Sequence, residues 1–134
     1  WCGDQRDQAD ADRAGVDRGM TYLWLSAAFM ALTALAHSVL GERRLIAPIL
    51  SLDAGVLKNA LARQVLRGAW HLTSILMILN GAALTITGMP RQFVLLTGVV
   101  WLAVGLFDAA YTKGKHIGWP LLAASGLFAI LGGI

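Results

Sequence analysis

The sequence is poor in cysteine, proline and charge. Cys2 is the single cysteine, so no disulfide can form within the chain, and neither a Cys-x-x-Cys nor a His-Glu-x-x-His zinc motif occurs. Only 14% of the 134 residues are charged, while 57% are hydrophobic. A water-soluble domain of this length needs far more polar surface. The composition therefore disfavours a secreted disulfide scaffold or a protein-ligated metal site, and it favours a protein embedded in a membrane.

The hydrophobic residues are concentrated in runs. A helix needs about 20 apolar residues to span the hydrocarbon core of a bilayer. Four runs come close to this length, namely 20–40, 69–88, 93–112 and 117–134. The sequence therefore predicts an all-α fold, a polytopic membrane protein built as a bundle of four transmembrane helices.

The segment 1–19 differs from the rest of the chain. It is polar, rich in aspartate and without hydrophobic periodicity, so we expect it to be disordered. Met20 is the first residue of the first apolar run, and an alternative is that the natural chain starts there. Another alternative is a signal peptide, because Ala34-Leu35-Ala36 matches a small-x-small cleavage site. Cleavage would leave a strongly basic loop outside the cell, so we prefer an uncleaved first helix.

Basic residues are unevenly shared between the loops. The loop between the second and third runs has only Arg91, and the tail is net acidic. Cytoplasmic loops are enriched in lysine and arginine. The distribution predicts a multi-pass protein of the bacterial inner (plasma) membrane with both termini outside. Seven basic residues occupy the two loops assigned to the cytoplasm: Arg43, Arg44, Lys58, Arg63, Arg67, Lys113 and Lys115.

The long basic loop has helical periodicity of its own. Apolar residues recur at helical spacing over 51–68, with basic residues largely on the other face, and Asp53 is a suitable N-cap. This predicts an amphipathic segment on the cytoplasmic surface, bound to anionic lipid or docked on a partner. Alternatively, it extends the second transmembrane helix. Pro48 argues against a straight continuation of the first helix. The expected partners are the lipid bilayer and another membrane protein or a second copy, with no nucleic acid.

The predicted topology brings polar residues from four chain segments to the cytoplasmic membrane face. Polar groups within a bilayer are costly unless they face the bundle interior. Gly41, one turn after His37, leaves room for another backbone or a flat ligand beside the imidazole. Glu42 is expected to pair with a basic group from residues 58–71. The predicted polar layer consists of His37, Glu42, His71, Ser74, Asp108 and His116.

Three stretches carry a resemblance to a known family, and they read HSVLGERRLIAP, VLRGAWHLTSI and KHIGWP. They resemble a family of small four-helix bacterial inner-membrane proteins with no assigned function, in which the patterns His-Ser-x-Leu-Gly-Glu and Trp-His-x-x-Ser recur. The resemblance covers residues 20–134. It implies a four-helix fold in the inner membrane and implies no activity.

A shorter stretch, HSVLGERRL, is similar to the H-x-x-x-G-x-R-[HR]-[LM] pattern of the cytochrome b subunit that anchors succinate dehydrogenase. In that subunit the histidine ligates haem and the arginine lies near the haem propionates and quinone. The resemblance implies that His37 is an axial ligand and that Arg43 contacts a propionate or quinone. The departures are that the anchors have three helices and that the second ligand normally comes from another subunit.

Three functions compete at this point. The first is an accessory or structural membrane protein, which needs no cofactor. The second is a protein that binds haem b or is linked to quinone, with His37 and His71 as opposing ligands. The third is a proton or small-ion pathway through His37, His71 and Asp108. An enzyme is not expected, because no spacing of nucleophile, base and orienting residue occurs. We place the accessory role first.

Overall fold

The protein is described here from a computed structural model. It describes residues 2–52 and 54–134, with side chains from residue 6 onward. All regular structure in these ranges is helical. The elements are α1 (Cys2–Gly41), a π-helical turn (Glu42–Ile46), α2 (Ala47–Leu50), a 3₁₀ turn (Gly55–Lys58), α3 (Ala60–Leu84), α4 (Arg91–Tyr111) and α5 (Trp119–Gly133).

The four long helices run up and down. Helix α1 packs against both α3 and α5, and α5 packs against α4. Gly41 meets Trp70 at one end of the α1/α3 pair, and Gly19 lies beside Gly132 at the opposite end of the α1/α5 pair. These neighbours make α1 antiparallel to both helices. The predicted all-helical fold with four principal helices is confirmed.

Small residues set the spacing between α4 and α5. A Cβ added at Gly105 would lie 2.5 Å from the backbone nitrogen of Ala123, and one added at Gly98 would lie 2.7 Å from the Ile130 side chain. Gly126 is closer still to the backbone of Leu102. The helix axes can approach this closely only because these positions lack side chains, as is common between membrane helices.

Polar side chains join the helices in the middle of the bundle. Ser26 Oγ, which is fully buried on α1, donates a hydrogen bond of 2.8 Å to the backbone oxygen of Ser125 on α5. Trp101 Nε1 on α4 donates a bond of 2.7 Å to Asn80 Oδ1 on α3.

The segment predicted to be disordered is helical where the structure describes it, because α1 starts at Cys2. The described side chains from Arg6 to Arg18 are exposed. Nucleation is the costly step of helix formation, whereas each added residue costs little. A polar, alanine-containing segment attached to a stable apolar helix can therefore extend it without burying any face. No face of this segment is packed, so its apolar residues show no helical periodicity. The lack of periodicity was therefore a poor guide to whether the segment is helical.

Pro48 affects the helix differently from the prediction. The chain stays helical through it, but the five residues Glu42–Ile46 form a π-helical turn, and Pro48 occupies the first turn of α2. A proline within an α-helix clashes with the carbonyl four residues earlier and lacks an N–H donor. A wider π turn immediately before the proline accommodates both effects. It also changes the angular spacing of Glu42 and Arg44.

The amphipathic segment 51–68 is not one separate helix. The 3₁₀ turn ends at Lys58, and α3 starts at Ala60, where Asn59 Oδ1 accepts a hydrogen bond of 2.8 Å from the Leu61 backbone nitrogen. Residues 60–68 therefore extend α3, as the alternative interpretation had it. The helix starts here because asparagine is a strong N-cap. Asp53, the predicted cap, lies outside the described residues.

Two helical stretches of the described chain are long and apolar enough to cross a membrane. They are Arg6–Leu50, which contains an 18-residue window with a mean hydropathy of 1.7, and Arg91–Tyr111, which contains one with a mean hydropathy of 2.1. Helix α5 is also apolar but has only 15 residues. The first turns of α3 carry Arg63 and Arg67, which lower its hydropathy.

Candidate functional site

Polar side chains meet at the end of the bundle where α1 stops and α3 begins. Arg67 Nε lies 3.0 Å from Glu42 Oε1, and His71 Nε2 lies 3.4 Å from Glu42 Oε2. Ser38 Oγ is 2.8 Å from His71 Nδ1. We call Ser38, Glu42, Arg67 and His71 the α1/α3 cluster. The predicted pairing of Glu42 with a basic group from residues 58–71 is confirmed.

The contacts of the α1/α3 cluster favour one tautomer of His71. Glu42 Oε2 is buried and, among the described residues, has no hydrogen bond of good geometry. A neutral His71 whose Nε2 carries the proton faces this oxygen favourably, and the Ser38 hydroxyl then donates to Nδ1. The order hydroxyl, imidazole and carboxylate matches that of a hydrolase triad. However, Ser38 lies inside a continuous helix, whose backbone N–H groups are committed to i−4 carbonyls and do not form an oxyanion hole.

His37 also contacts α3, but through residues outside the α1/α3 cluster. Its ring stacks on Trp70 with centroids 4.0 Å apart and planes 12° apart, and Trp70 Nε1 donates a 3.1 Å bond to the His37 backbone oxygen. Thr73 Oγ1 lies 2.9 Å from His37 Nε2 and 2.6 Å from the Trp70 backbone oxygen. One hydroxyl proton cannot serve both contacts. If Thr73 donates to the carbonyl, His37 Nε2 must carry the proton that Thr73 accepts.

Gly41 makes this stack possible. A Cβ at this position would overlap the Trp70 indole. The space beside His37 was expected to admit another backbone or a flat ligand, but in the structure the indole of Trp70 occupies it. A substitution at Gly41 would push the indole away from α1 and break the stack on the imidazole.

His116 is held by the end of α4. Its Nδ1 lies 2.5 Å from Asp108 Oδ2. The connection between α4 and α5 turns sharply at Lys113 and Gly114, with φ of 52° and 72°. The left-handed backbone at these two residues folds the chain back over the last turn of α4. This turn brings His116 within reach of a carboxylate eight positions earlier.

A cavity of about 440 Å³ lies between the end of α1, the π turn, the start of α3 and the start of α5. We call it the basic cavity. Its charged and imidazole lining comes from His37, Arg44, Lys115 and His116, Thr33 and Trp70 also line it, and the described lining includes no carboxylate. Apolar side chains complete the wall: Ala36, Leu40, Leu45, Met77, Ile117, Leu121 and Leu122.

The structure divides the predicted site residues between these two places. His37 and His116 line the basic cavity, whereas Glu42 and His71 belong to the α1/α3 cluster. His71 faces Ser38 and Glu42 and is absent from the described lining of the basic cavity. The structure therefore does not bring His37 and His71 together as opposing ligands around a shared space, and haem binding stays a prediction.

The remaining predicted residues occupy separate positions. Arg43 is exposed and does not line the basic cavity, whereas Arg44, the next residue, does. Ser74 is buried, and its Oγ has no hydrogen-bond partner among the described residues. Asp108 contacts His116 and does not line the basic cavity. The contact that the resemblance assigned to Arg43 would therefore fall to Arg44.

The sequence did not indicate that Ser38, Trp70 and Thr73 contribute to the site. Trp70 and His71 are adjacent, so their side chains point about 100° apart on a helix. They consequently serve different places, with Trp70 lining the cavity and His71 reaching Glu42. Ser38 and Thr73 gave no signal, because a hydroxyl inside an apolar helix usually bonds to its own backbone.

Comparison of the chain with known protein families, curated proteins and solved structures finds no match. The function is therefore argued from the geometry alone.

Proposed function

We propose that the protein is a small accessory membrane protein of the bacterial inner membrane, with all four long helices crossing the bilayer. The basic end, with Arg44 and Lys115, faces the cytoplasm, and both termini lie outside. The polar layer holds the helices together at that face and carries out no reaction.

The observation that carries this proposal is the apolar outer surface of α3 and α4. Leu79 on α3 and Phe107 on α4 are 59% and 69% exposed, and many large apolar neighbours are similarly exposed. Water-soluble monomers rarely expose apolar patches larger than a few hundred Å². Lipid chains or a partner helix satisfy such a surface. The 25 residues of α3 span about 37 Å at 1.5 Å per residue, which is enough to cross a bilayer.

The accessory role is supported by how the polar layer is used. Glu42 and His71 contact each other between α3 and the end of α1, and the His37 ring and backbone also contact α3. Asp108 and His116 tie the end of α4 to the connection that leads into α5. Groups committed to one another in this way stabilise a bundle. A proton pathway would need a continuation toward the other face. Asn80 and Trp101 are instead bonded to each other.

Reporter fusions test the topology. A reporter active only outside the cytoplasm, fused after Ile134, should be active, and the same reporter fused after Lys58 should be silent. A reporter active only in the cytoplasm should give the reverse pattern. A cytoplasmic C-terminus would overturn the proposed orientation and the assignment of the basic end to the cytoplasmic surface.

Photo-crosslinking in native membranes tests the accessory role. A photoreactive amino acid at Leu79 or Phe107 should give a discrete protein adduct. The control is the same amino acid at Tyr22, which is only partly exposed and stacks on Phe128 within the bundle. Adducts with lipid alone at both exposed positions would contradict an accessory role.

A further inference from the structure

We propose that the basic cavity binds an anionic amphiphile, a phosphate or carboxylate head joined to a hydrocarbon chain, and that the membrane supplies it as an anionic phospholipid. The proposal depends on the proposed membrane location only for the source of the ligand. The site itself rests on the shape, charge and lining of the basic cavity.

The charged residues in the described lining of the basic cavity are all basic. Neither Arg44 nor Lys115 forms an ion pair in the part of the chain that the structure describes. The two carboxylates nearest in sequence to this end are already used, Glu42 by Arg67 and Asp108 by His116. The cavity therefore offers two positive charges on exposed side chains, and its described lining holds no negative charge to compensate them. A phosphate or carboxylate accepts charge-assisted hydrogen bonds from such groups.

The rest of the lining selects a ligand with a hydrocarbon part. Leu40, Leu45, Leu121 and Leu122 contribute apolar walls, and Met77 contributes a flexible one. A volume of about 440 Å³ is within the range of about 300–1,000 Å³ usual for small-molecule sites. A bare inorganic anion would leave most of this apolar wall uncovered, whereas a headgroup with the first part of its chain covers both the charges and the wall.

Two glycines keep the basic cavity open beside its aromatic and imidazole rings. Gly41 lets the Trp70 indole lie flat against α1, as described above. A Cβ at Gly118 would lie 2.9 Å from the His116 ring. Both positions thus keep a ring in place at the wall rather than in the cavity.

The binding experiment uses the full chain in a nonionic detergent, with native mass spectrometry as the readout. Short-chain phosphatidylglycerol should bind saturably at one molecule per chain, and phosphatidylcholine of equal chain length should bind at least about tenfold more weakly. Dodecyl phosphate should compete, and inorganic phosphate at the same concentration should not. Binding of dodecyl phosphate without phosphatidylglycerol would overturn the phospholipid as the source. Equal retention of the two phospholipids would overturn the site.

Paired variants separate the basic cavity from general surface charge. Arg44→Gln combined with Lys115→Gln should weaken phosphatidylglycerol binding by about tenfold or more, because two charge-assisted contacts are lost. The matched control is Arg43→Gln combined with Lys113→Gln. All four residues are exposed, but Arg43 and Lys113 do not line the cavity, so this control removes the same charge and should change binding by less than about threefold. Equal losses in the two double variants would reduce the effect to surface attraction and refute the site.

A cavity-filling variant provides a test that leaves charge unchanged. Ala36→Phe puts a ring into the lining and should abolish binding, while the melting temperature in detergent reports whether the bundle is intact. Undiminished binding to a folded Ala36→Phe protein would overturn the proposal. Because binding is measured in detergent and topology in cells, failure of this site and failure of the proposed membrane orientation are distinguishable.

Discussion

Replacing Glu42 with glutamine removes one charge from the α1/α3 cluster while keeping the shape of the side chain. In the structure one carboxylate oxygen contacts Arg67 at 3.0 Å and the other faces His71 at 3.4 Å. A glutamine can still accept a hydrogen bond from Arg67. The amide N–H group of the glutamine would, however, face the N–H group at His71 Nε2, and two donors cannot bond to each other. The imidazole must therefore carry its proton on Nδ1 instead, and it then donates to the Ser38 hydroxyl rather than accepting from it.

The size of the effect follows from exposure. The Glu42 side chain is 25% exposed and that of Arg67 is 51% exposed, so solvent screens the pair considerably. Exposed ion pairs contribute about 0.2–1 kcal/mol, whereas breaking a fully buried pair costs about 3–5 kcal/mol. The second carboxylate oxygen of Glu42 is buried, so we expect replacing Glu42 to cost more than breaking an exposed ion pair. We expect Glu42→Gln to lower the free energy of unfolding by about 1–2 kcal/mol.

A double-mutant cycle measures whether this cost comes from the pair. Thermal unfolding in detergent is followed for Glu42→Gln, Arg67→Gln and the double variant, and the double variant should lose about 0.5–1 kcal/mol less than the sum of the two single losses. Arg43→Gln is the control partner, since Arg43 is exposed and adjacent in sequence, and its combination with Glu42→Gln should be additive. The connector 51–59 should also be cut faster by protease when Glu42 is replaced. Additive losses for Glu42 and Arg67, with unchanged cleavage, would refute the structural role of the pair.

Three further outcomes are expected. If haem binds, the purified protein shows a Soret band that His37→Ala abolishes; a band unchanged in both His37→Ala and His71→Ala would eliminate bis-histidine ligation, and a wild type without a band would eliminate haem. Gly126→Ala should destabilise the bundle by about 1–3 kcal/mol, because its Cβ meets backbone of α4, whereas Gly68→Ala, where the space is open, should be neutral or stabilising in the same melting assay. Asn80→Leu should cost about 1 kcal/mol by leaving its indole partner on α4 unpaired, and an unchanged melting temperature would show that this bond does not tie α3 to α4.

The apolar runs were sufficient to predict the helices, since membrane-spanning length and hydropathy are local properties of the chain. Helix α4 begins and ends within two residues of the predicted 93–112 run, and α5 lies within the predicted 117–134 run. The N-terminal part of α1 and the start of α3 were less predictable. The former has no buried face to impose periodicity, and the latter depends on whether Asn59 or Asp53 caps the helix.

The composition of the polar layer could also be predicted, but its internal pairing could not. Loop charges and alternating helix direction bring His37, His71 and His116 to one end of the bundle. Which imidazole meets which partner depends on the rotation of each helix about its axis, and on the π turn that alters the register after Gly41. Neither is visible in hydrophobic spacing. The sequence could therefore indicate that histidines gather at this end, but not that His37 would share a cavity with His116.

The pairing of carboxylates determines the electrostatic character of this end of the bundle. Glu42 and Asp108 come from different helices, and each is bonded to a basic or imidazole partner, so both are spent on holding the bundle together. Arg44 and Lys115 are left to give the basic cavity its charge. Both residues are exposed while lining the cavity, so water solvates their charges until an anionic group replaces it. An anionic head that enters the basic cavity supplies the missing partner, so the contacts that stabilise the helices also create the site that attracts it.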